Sequence, residues 1–137
     1  MKDTDAIPLP GDFIERLVKK TFNSDKDWLL REWFNEGKRV GSYLKMYAED
    51  FEQLIPQVEE LQGFLPVKRV ELAKKQEDGN MSIAIRVVGA GFSVESTLCT
   101  EQFLLGILSE YPYKLTDSRV SGGMIELKVE EDKKPSR

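Results

Sequence analysis

Nucleophilic and metal-binding chemistry is limited in this chain by its residue types. The 137 residues include one cysteine, Cys99, and no histidine. Sites that pair a serine or cysteine with histidine cannot form within one chain, and neither can a haem or zinc site that needs histidine. A metal site would have to consist of carboxylates. We therefore expect no enzyme activity, no bound metal and no cofactor, and we interpret Cys99 as a small buried thiol.

The segment Gly89-Ala90-Gly91 follows a predicted strand, as phosphate-binding loops do. The dinucleotide fingerprint requires a third glycine where this chain has Val94, and it belongs to folds that alternate strands with helices. This chain lacks that order. The segment is therefore interpreted as the exit from a strand.

Aromatic and apolar side chains predict a different kind of site, a pocket for an apolar molecule. Tyr43 and Tyr47 are one helical turn apart, and so are Phe103 and Ile107 on a second helix. Tyrosines suit the mouth of such a pocket, since each has an apolar ring and a polar tip. The alternative is a filled core in which these side chains pack on one another. The predicted ligand-binding residues are Tyr43, Met46, Tyr47, Phe92, Phe103 and Ile107.

Glycines interrupt both helices that carry these residues. Gly37 and Gly41 are spaced four apart and so lie on one helical face, and Gly106 stands in the second helix. Each costs about 1 kcal/mol relative to alanine, which indicates close approach of another backbone or a ligand. Two interpretations of Gly37 and Gly41 follow: close helix packing in the core, or a flat strip that packs against a partner helix in a homodimer.

Composition narrows the class of protein. The chain has 40% hydrophobic and 32% charged residues with a net charge of −4, which suits one globular domain and disfavours nucleic acid as the main partner. No apolar run is long enough for a transmembrane segment, and no export signal is visible. With its single cysteine, the chain is expected in the cytoplasm. We predict a flexible arm at 1–10, one domain at 11–130 and a flexible tail at 131–137.

Helical spacing of apolar residues predicts the helices. A short helix, FIERLVKK, is followed by a polar turn, and a long helix starts after Ser24 as N-cap and ends at about residue 48. Another short helix is expected from Pro56 to Gln62. The last helix is predicted to begin at Thr100 as N-cap and to end at Pro112.

Period-two alternation predicts four strands. VKRVELAKK and MSIAIRVV are joined by a turn with Asp78-Gly79, and YKLTDSRV and MIELKV are joined through glycines. Inward-facing residues are expected at Met81, Ile83, Ile85 and Val87, and at Ile125, Leu127 and Val129. The expected fold is α+β: N-terminal helices, then hairpin, helix and hairpin, forming a four-stranded antiparallel sheet with helices on one face.

Several of these segments, in this order, resemble one family. The chain is similar to the vinyl-four-reductase domain of hydrocarbon-binding proteins in four segments. They are FNEGKRVGSYL on the long helix, the step to PVKRVEL, CTEQFLLGILSEY, and the closing hairpin with glycine before MIELKV. The likeness covers residues 13 to 129. The family shares its fold with small subunits of vesicle-tethering complexes.

This resemblance implies a homodimeric module that binds an apolar or lipid-like small molecule between helices and sheet. Many family members carry further cysteines in the closing hairpin, where this chain has Ser118 and Ile125. The ligand or metal site attributed to those cysteines is therefore not expected here. Two functions remain: a non-enzymatic, sensory or regulatory binding module for an apolar small molecule, or a dimeric interaction and scaffold subunit with a filled core.

Overall fold

A computed structural model describes residues 11–50, 53, 67–77, 79–89 and 93–131 of the chain. The described elements are helix α1 (Gly11–Leu44), strands β1 (Arg69–Glu77) and β2 (Asn80–Val88), helix α2 (Val94–Leu108), and strands β3 (Tyr113–Ser121) and β4 (Met124–Glu131). Several predictions lie outside the described residues: the arm at 1–10, the helix from Pro56 to Gln62, Phe92, and the tail beyond Glu131.

The break predicted near residue 24 is present: two helical segments of α1 meet at a kink at Asp25, with no longer turn between them. Asp25 leaves the helical region, with φ −156° and ψ 74°, while the residues on either side continue the helix. Its carboxylate accepts a hydrogen bond from the Trp28 N–H at 3.2 Å, as an N-cap does. The prediction of Ser24 as N-cap is wrong, because its hydroxyl instead donates to the carbonyls of Lys20 and Thr21 in the preceding turn.

The start predicted for the second helix is also wrong. Helix α2 begins at Val94, and Ser93, with φ −126° and ψ 166°, is its N-cap. Ser93 and Ser96 form a reciprocal capping box, in which each side chain bonds the other residue's backbone N–H. Thr100 lies inside the helix and donates to the Ser96 carbonyl at 3.1 Å. Cys99 consequently lies within the helix as well, rather than before it.

The α+β prediction is confirmed: the four strands form one antiparallel sheet in the order β1-β2-β4-β3. Each predicted hairpin is present, and β2 pairs with β4 between them. Gly79 and Gly123, in the two connecting turns, have φ of 78° and 79°, a conformation that glycine adopts without strain. Strands β1 and β3 are therefore the edges of the sheet.

One face of the sheet is covered by the helices, and the other is polar. The core joins the end of α1, the end of α2 and the inward-facing residues of β2 and β4. The alternation predicted from sequence is the observed one, since every second residue of both strands points into this core. The buried strand residues are Ile83, Ile85, Val87, Ile125, Leu127 and Val129. No helix in the described part of the chain is long and apolar enough to cross a membrane.

Candidate functional site

Helices α1 and α2 approach each other through glycines. A Cβ atom added at Gly37 would lie 2.0 Å from the Phe103 carbonyl oxygen and 3.1 Å from the Gly106 Cα. A Cβ added at Gly106 would lie 2.2 Å from the Phe34 carbonyl oxygen. Both glycines are therefore required for backbone to meet backbone, which is one of the two alternatives that the sequence left open for Gly106.

Gly41 extends the same contact by one turn. Its added Cβ would lie 2.9 Å from the Ile107 carbonyl oxygen. Next to it, Glu110 accepts a hydrogen bond from Ser42 at 3.0 Å and lies 3.4 Å from the Lys38 ammonium. The surface of α1 that the two glycines form is thus covered by α2 of the same chain. The interpretation of Gly37 and Gly41 as a homodimer strip is corrected accordingly, and packing within one chain is the observed arrangement.

Two of the predicted pocket residues lie in or beside this contact. Ile107 is buried in the main core, which it shares with Leu44 and Leu108. Phe103 is half-buried and packs edge-to-face on Trp33, with 6.0 Å between ring centroids. Both side chains are therefore engaged with apolar neighbours of their own chain.

Three other predicted pocket residues lie at the surface, where α1 ends. Met46 is 75% exposed and Tyr47 is 62% exposed, whereas Tyr43 is half-buried. The two tyrosine rings are 5.3 Å apart, and their hydroxyls are 3.4 Å apart. We call Tyr43, Met46 and Tyr47 the α1 aromatic patch. Met46 and Tyr47 do not line an enclosed cavity of this chain, because they face solvent; Phe92 lies outside the described residues.

A buried tyrosine anchors the backbone beside this patch. The Tyr111 hydroxyl donates to the Ala48 carbonyl at 3.0 Å, and Lys45 Nζ lies 5.8 Å from the centre of the Tyr111 ring. Burial, and then the negative charge of Asp50, raise the pKa of the Tyr111 hydroxyl. The hydroxyl is protonated at neutral pH, as tyrosine ordinarily is, and the raised pKa extends its hydrogen bond to Ala48 to more alkaline pH. This contact fixes the turn after α1 and so the position of the patch.

Cys99 occupies a second, smaller apolar cluster between the two helices. It is 1% exposed and packs with Val18 and Leu29 of α1. Burial, and then the charge of Glu15, raise the pKa of the Cys99 thiol to about 12. Because only a thiolate is a good nucleophile or metal ligand, this environment makes the thiol inert. Within the described residues, no group of three or more cysteine or carboxylate side chains could hold a metal ion.

The polar face of the sheet forms a groove that sequence reasoning missed. It is open to solvent and has a volume of about 530 Å³. One row of side chains across it alternates in charge: Glu71, Arg86, Glu126 and Arg119 are successive neighbours on β1, β2, β4 and β3. Arg86 Nε lies 3.9 Å from a Glu126 carboxylate oxygen. The available signal was the charge at alternate positions of β3 and β4, at Asp117 and Arg119 and at Glu126 and Lys128.

The next row across the groove differs in composition. Ala73 and Ala84 are neighbours on β1 and β2, followed by Lys128 on β4 and Asp117 on β3. The groove therefore has a small apolar floor towards β1 and paired charges towards β3. Asp117 and Arg119 stand side by side on the edge strand, with 3.6 Å between Arg119 Nε and an Asp117 carboxylate oxygen. Such exposed pairs contribute little to stability, but they set which charges an incoming strand would meet.

Comparison with known proteins adds no family to this description. No family model, no curated protein and no solved structure matches the chain. The function of the chain is therefore inferred from the arrangement of the described residues and from the resemblance in the sequence.

Proposed function

We propose that this chain is a non-enzymatic interaction subunit that works as a homodimer and binds a further protein through the α1 aromatic patch. The observation that carries the proposal is the exposure of Met46 and Tyr47 beside Tyr43. Tyrosine and methionine are enriched at protein interfaces, and exposed aromatic anchors provide much of the binding energy. Within the proposal, the subunit works in the cytoplasm, where a single buried thiol stays reduced.

The packing between the helices also favours this function over ligand binding in the core. Backbone-to-backbone contact at Gly37 and Gly106 leaves no room for a ligand between these turns of α1 and α2. Phe103 and Ile107 already contact apolar side chains of the chain. The α1 aromatic patch, in contrast, is accessible to another protein.

An apolar small molecule is the second candidate. It is favoured by the same patch, since three of the six predicted lining residues lie together at the end of α1. Met46 is unbranched and adaptable, which suits a lipid-like guest as well as a protein. The family resemblance in the sequence points in this direction.

Affinity purification with matched variants tests the proposal. Wild-type chain, the double variant Met46→Lys/Tyr47→Ala and the control Arg31→Ala, an exposed change elsewhere on α1, serve as baits. We expect a stoichiometric protein partner with wild type and control that is lost with the double variant. Calorimetry with the purified partner should then give a loss of about 2 kcal/mol or more, the usual scale of an interface anchor. Equal recovery with all three baits would refute the proposal.

A fluorescent fatty-acid probe separates the two candidates. Saturable binding of about one probe per chain, reduced in the Met46→Lys/Tyr47→Ala variant, would support the small-molecule function instead. Absence of saturable binding, together with a patch-dependent protein partner, would support the interaction subunit.

A further inference from the structure

The two edges of the sheet differ in how well they are protected against pairing with another strand. On β1, Lys74 lies opposite Ile83, so that a lysine stands on the inward-facing side of the edge. Inward-pointing charges at an edge are a known device against pairing. Four positions of β3 face inward, and none of them is charged: Tyr113, Leu115, Ser118 and Val120. The β3 edge therefore lacks the protection that the β1 edge has.

The register shows which backbone groups of β3 face outwards. Ser121 and Met124 close a two-residue hairpin, so Ser121, Arg119 and Asp117 direct their N–H and C=O groups to β4. Because hydrogen-bonded and non-hydrogen-bonded residues alternate along an antiparallel strand, the backbone N–H and C=O groups of Ser118 and Val120 point away from β4. Thr116 occupies the bulge between Leu115 and Asp117, which limits the accessible stretch to the part of β3 after it.

We propose that this chain forms its homodimer by pairing β3 with β3 of a second copy, antiparallel, around a two-fold axis at Ser118. The inference rests on the homodimer of the proposed function and names its surface. Around this axis Arg119 of each copy lies opposite Asp117 of the other copy. The charge alternation of the polar face then continues without a like-charge contact from one sheet to the other.

Helix α2 carries an apolar stripe that fits the same axis. Thr97 accepts a hydrogen bond from the Gly123 N–H at 2.9 Å, and Glu101 accepts one from the Ser118 hydroxyl, so α2 runs antiparallel to β3 with Glu101 over Ser118. Leu98 and Leu105 lie three residues before and four after Glu101, and both are half-buried.

The two-fold axis at Ser118 passes close to Glu101 and brings Leu98 towards Leu105 of the second copy, and Leu105 towards its Leu98. Val94, on the same stripe, is 52% exposed, and Leu115 on β3 is 42% exposed. A second copy of the chain covers this surface in the proposed dimer, because one axis pairs both the charge row and the leucine stripe. The same axis brings the two Glu101 carboxylates close together, each of them bonded to the Ser118 hydroxyl of its own chain.

Removal of the outward N–H at the axis tests the pairing. Ser118→Pro deletes two intermolecular hydrogen bonds per dimer, one from each chain, and an edge strand tolerates proline at such a position. Gln76→Pro is the control for proline at an outward-facing edge position, since Gln76 has the same outward orientation on β1. Ser118→Ala is the control for loss of the hydrogen bond from the Ser118 hydroxyl to Glu101. In analytical ultracentrifugation, Ser118→Pro should raise the dimer Kd at least about tenfold, and Gln76→Pro should leave it within about twofold.

Two further variants keep the test independent of proline. In a Cys99→Ala background, Ser118→Cys should form a disulfide-linked dimer on mild oxidation, because opposed residues of an antiparallel pair lie about 5.5 Å apart between Cα atoms. Gln76→Cys should not. Leu98→Glu should weaken the dimer at least about tenfold by placing a charge in the leucine stripe, with an unchanged far-UV circular dichroism spectrum.

A wild-type chain that remains monomeric at about 100 µM would overturn both this inference and the homodimer of the proposed function. A dimer that dissociates on Met46→Lys/Tyr47→Ala but not on Ser118→Pro or Leu98→Glu would overturn this inference alone. If Ser118→Pro and Leu98→Glu weaken the dimer but no protein binds the α1 aromatic patch, the β3 dimer surface would be supported. The binding of a further protein in the proposed function would then be refuted.

Discussion

Gly37→Ala tests whether the contact between α1 and α2 is backbone against backbone. The new Cβ would lie 2.0 Å from the Phe103 carbonyl oxygen, whereas ordinary contact begins at 3.4 Å, so the shortfall is about 1.4 Å. Because the obstacle is backbone, relief requires the helices to separate. We assign the upper end of the overpacking range, about 3 kcal/mol. The higher helix propensity of alanine stabilises the protein by about 1 kcal/mol, so the expected net loss in the free energy of unfolding is about 2 kcal/mol.

Urea denaturation followed by far-UV circular dichroism measures this loss as a lower midpoint. Asn35→Ala is the control, since Asn35 is exposed on the same helix and the change alters helix propensity with no steric conflict. The free energy of unfolding of the Asn35→Ala control should rise by about 0.5 kcal/mol. If Gly37→Ala were as stable as wild type or more so, helix propensity alone would govern the position, and the close contact with Phe103 would be refuted.

Three other side chains give further predictions. Ser93→Ala removes the α2 cap and the hydroxyl that donates to Glu15 at 2.8 Å, and should cost about 1–2 kcal/mol in the same titration, whereas Ser93→Thr should retain most of that stability. Tyr111→Phe leaves the buried Ala48 carbonyl without its partner and should cost about 1 kcal/mol; an unchanged midpoint would contradict this. The thiol pKa of Cys99, raised from 9.0 to about 12, predicts slow alkylation of the native protein and stability that falls as pH rises from about 9 to about 12, since the unfolded thiol ionises first. Cys99→Ala should flatten that fall, and alkylation at pH 8 as fast as in denaturant would count against the burial.

The sequence determined the sheet and the buried face of its central strands. Ile83, Ile85 and Val87 of β2 alternate with exposed residues on the other face of the sheet, and the register with β4 brings the matching residues of that strand beside them. This pattern is local, because successive side chains of a strand point to opposite faces whatever the rest of the fold does. The hairpin turns are local for the same reason: Gly79 and Gly123 adopt positive φ within the turns themselves.

The helix starts were only partly readable. Residue type alone left several possible helix starts, because four residues near them have side chains that can cap a helix: Ser24, Asp25, Ser93 and Thr100. The choice depends on which residue takes up extended dihedral angles, and Asp25 and Ser93 do so. At Ser93 the cap is also bonded to Glu15 from α1, a contact between residues far apart in the chain.

Only the tertiary structure decided what the glycines and the predicted pocket residues do. The spacing of Gly37 and Gly41 indicated a close approach, but a partner within the chain and a partner in a second chain require the same spacing. The docking of α2 settled the question by covering them. Likewise, periodicity placed Met46 near the predicted pocket, and the end of α1 at Leu44 left it in solvent. Periodicity reports which face of an element is apolar, and only packing determines what lies against that face.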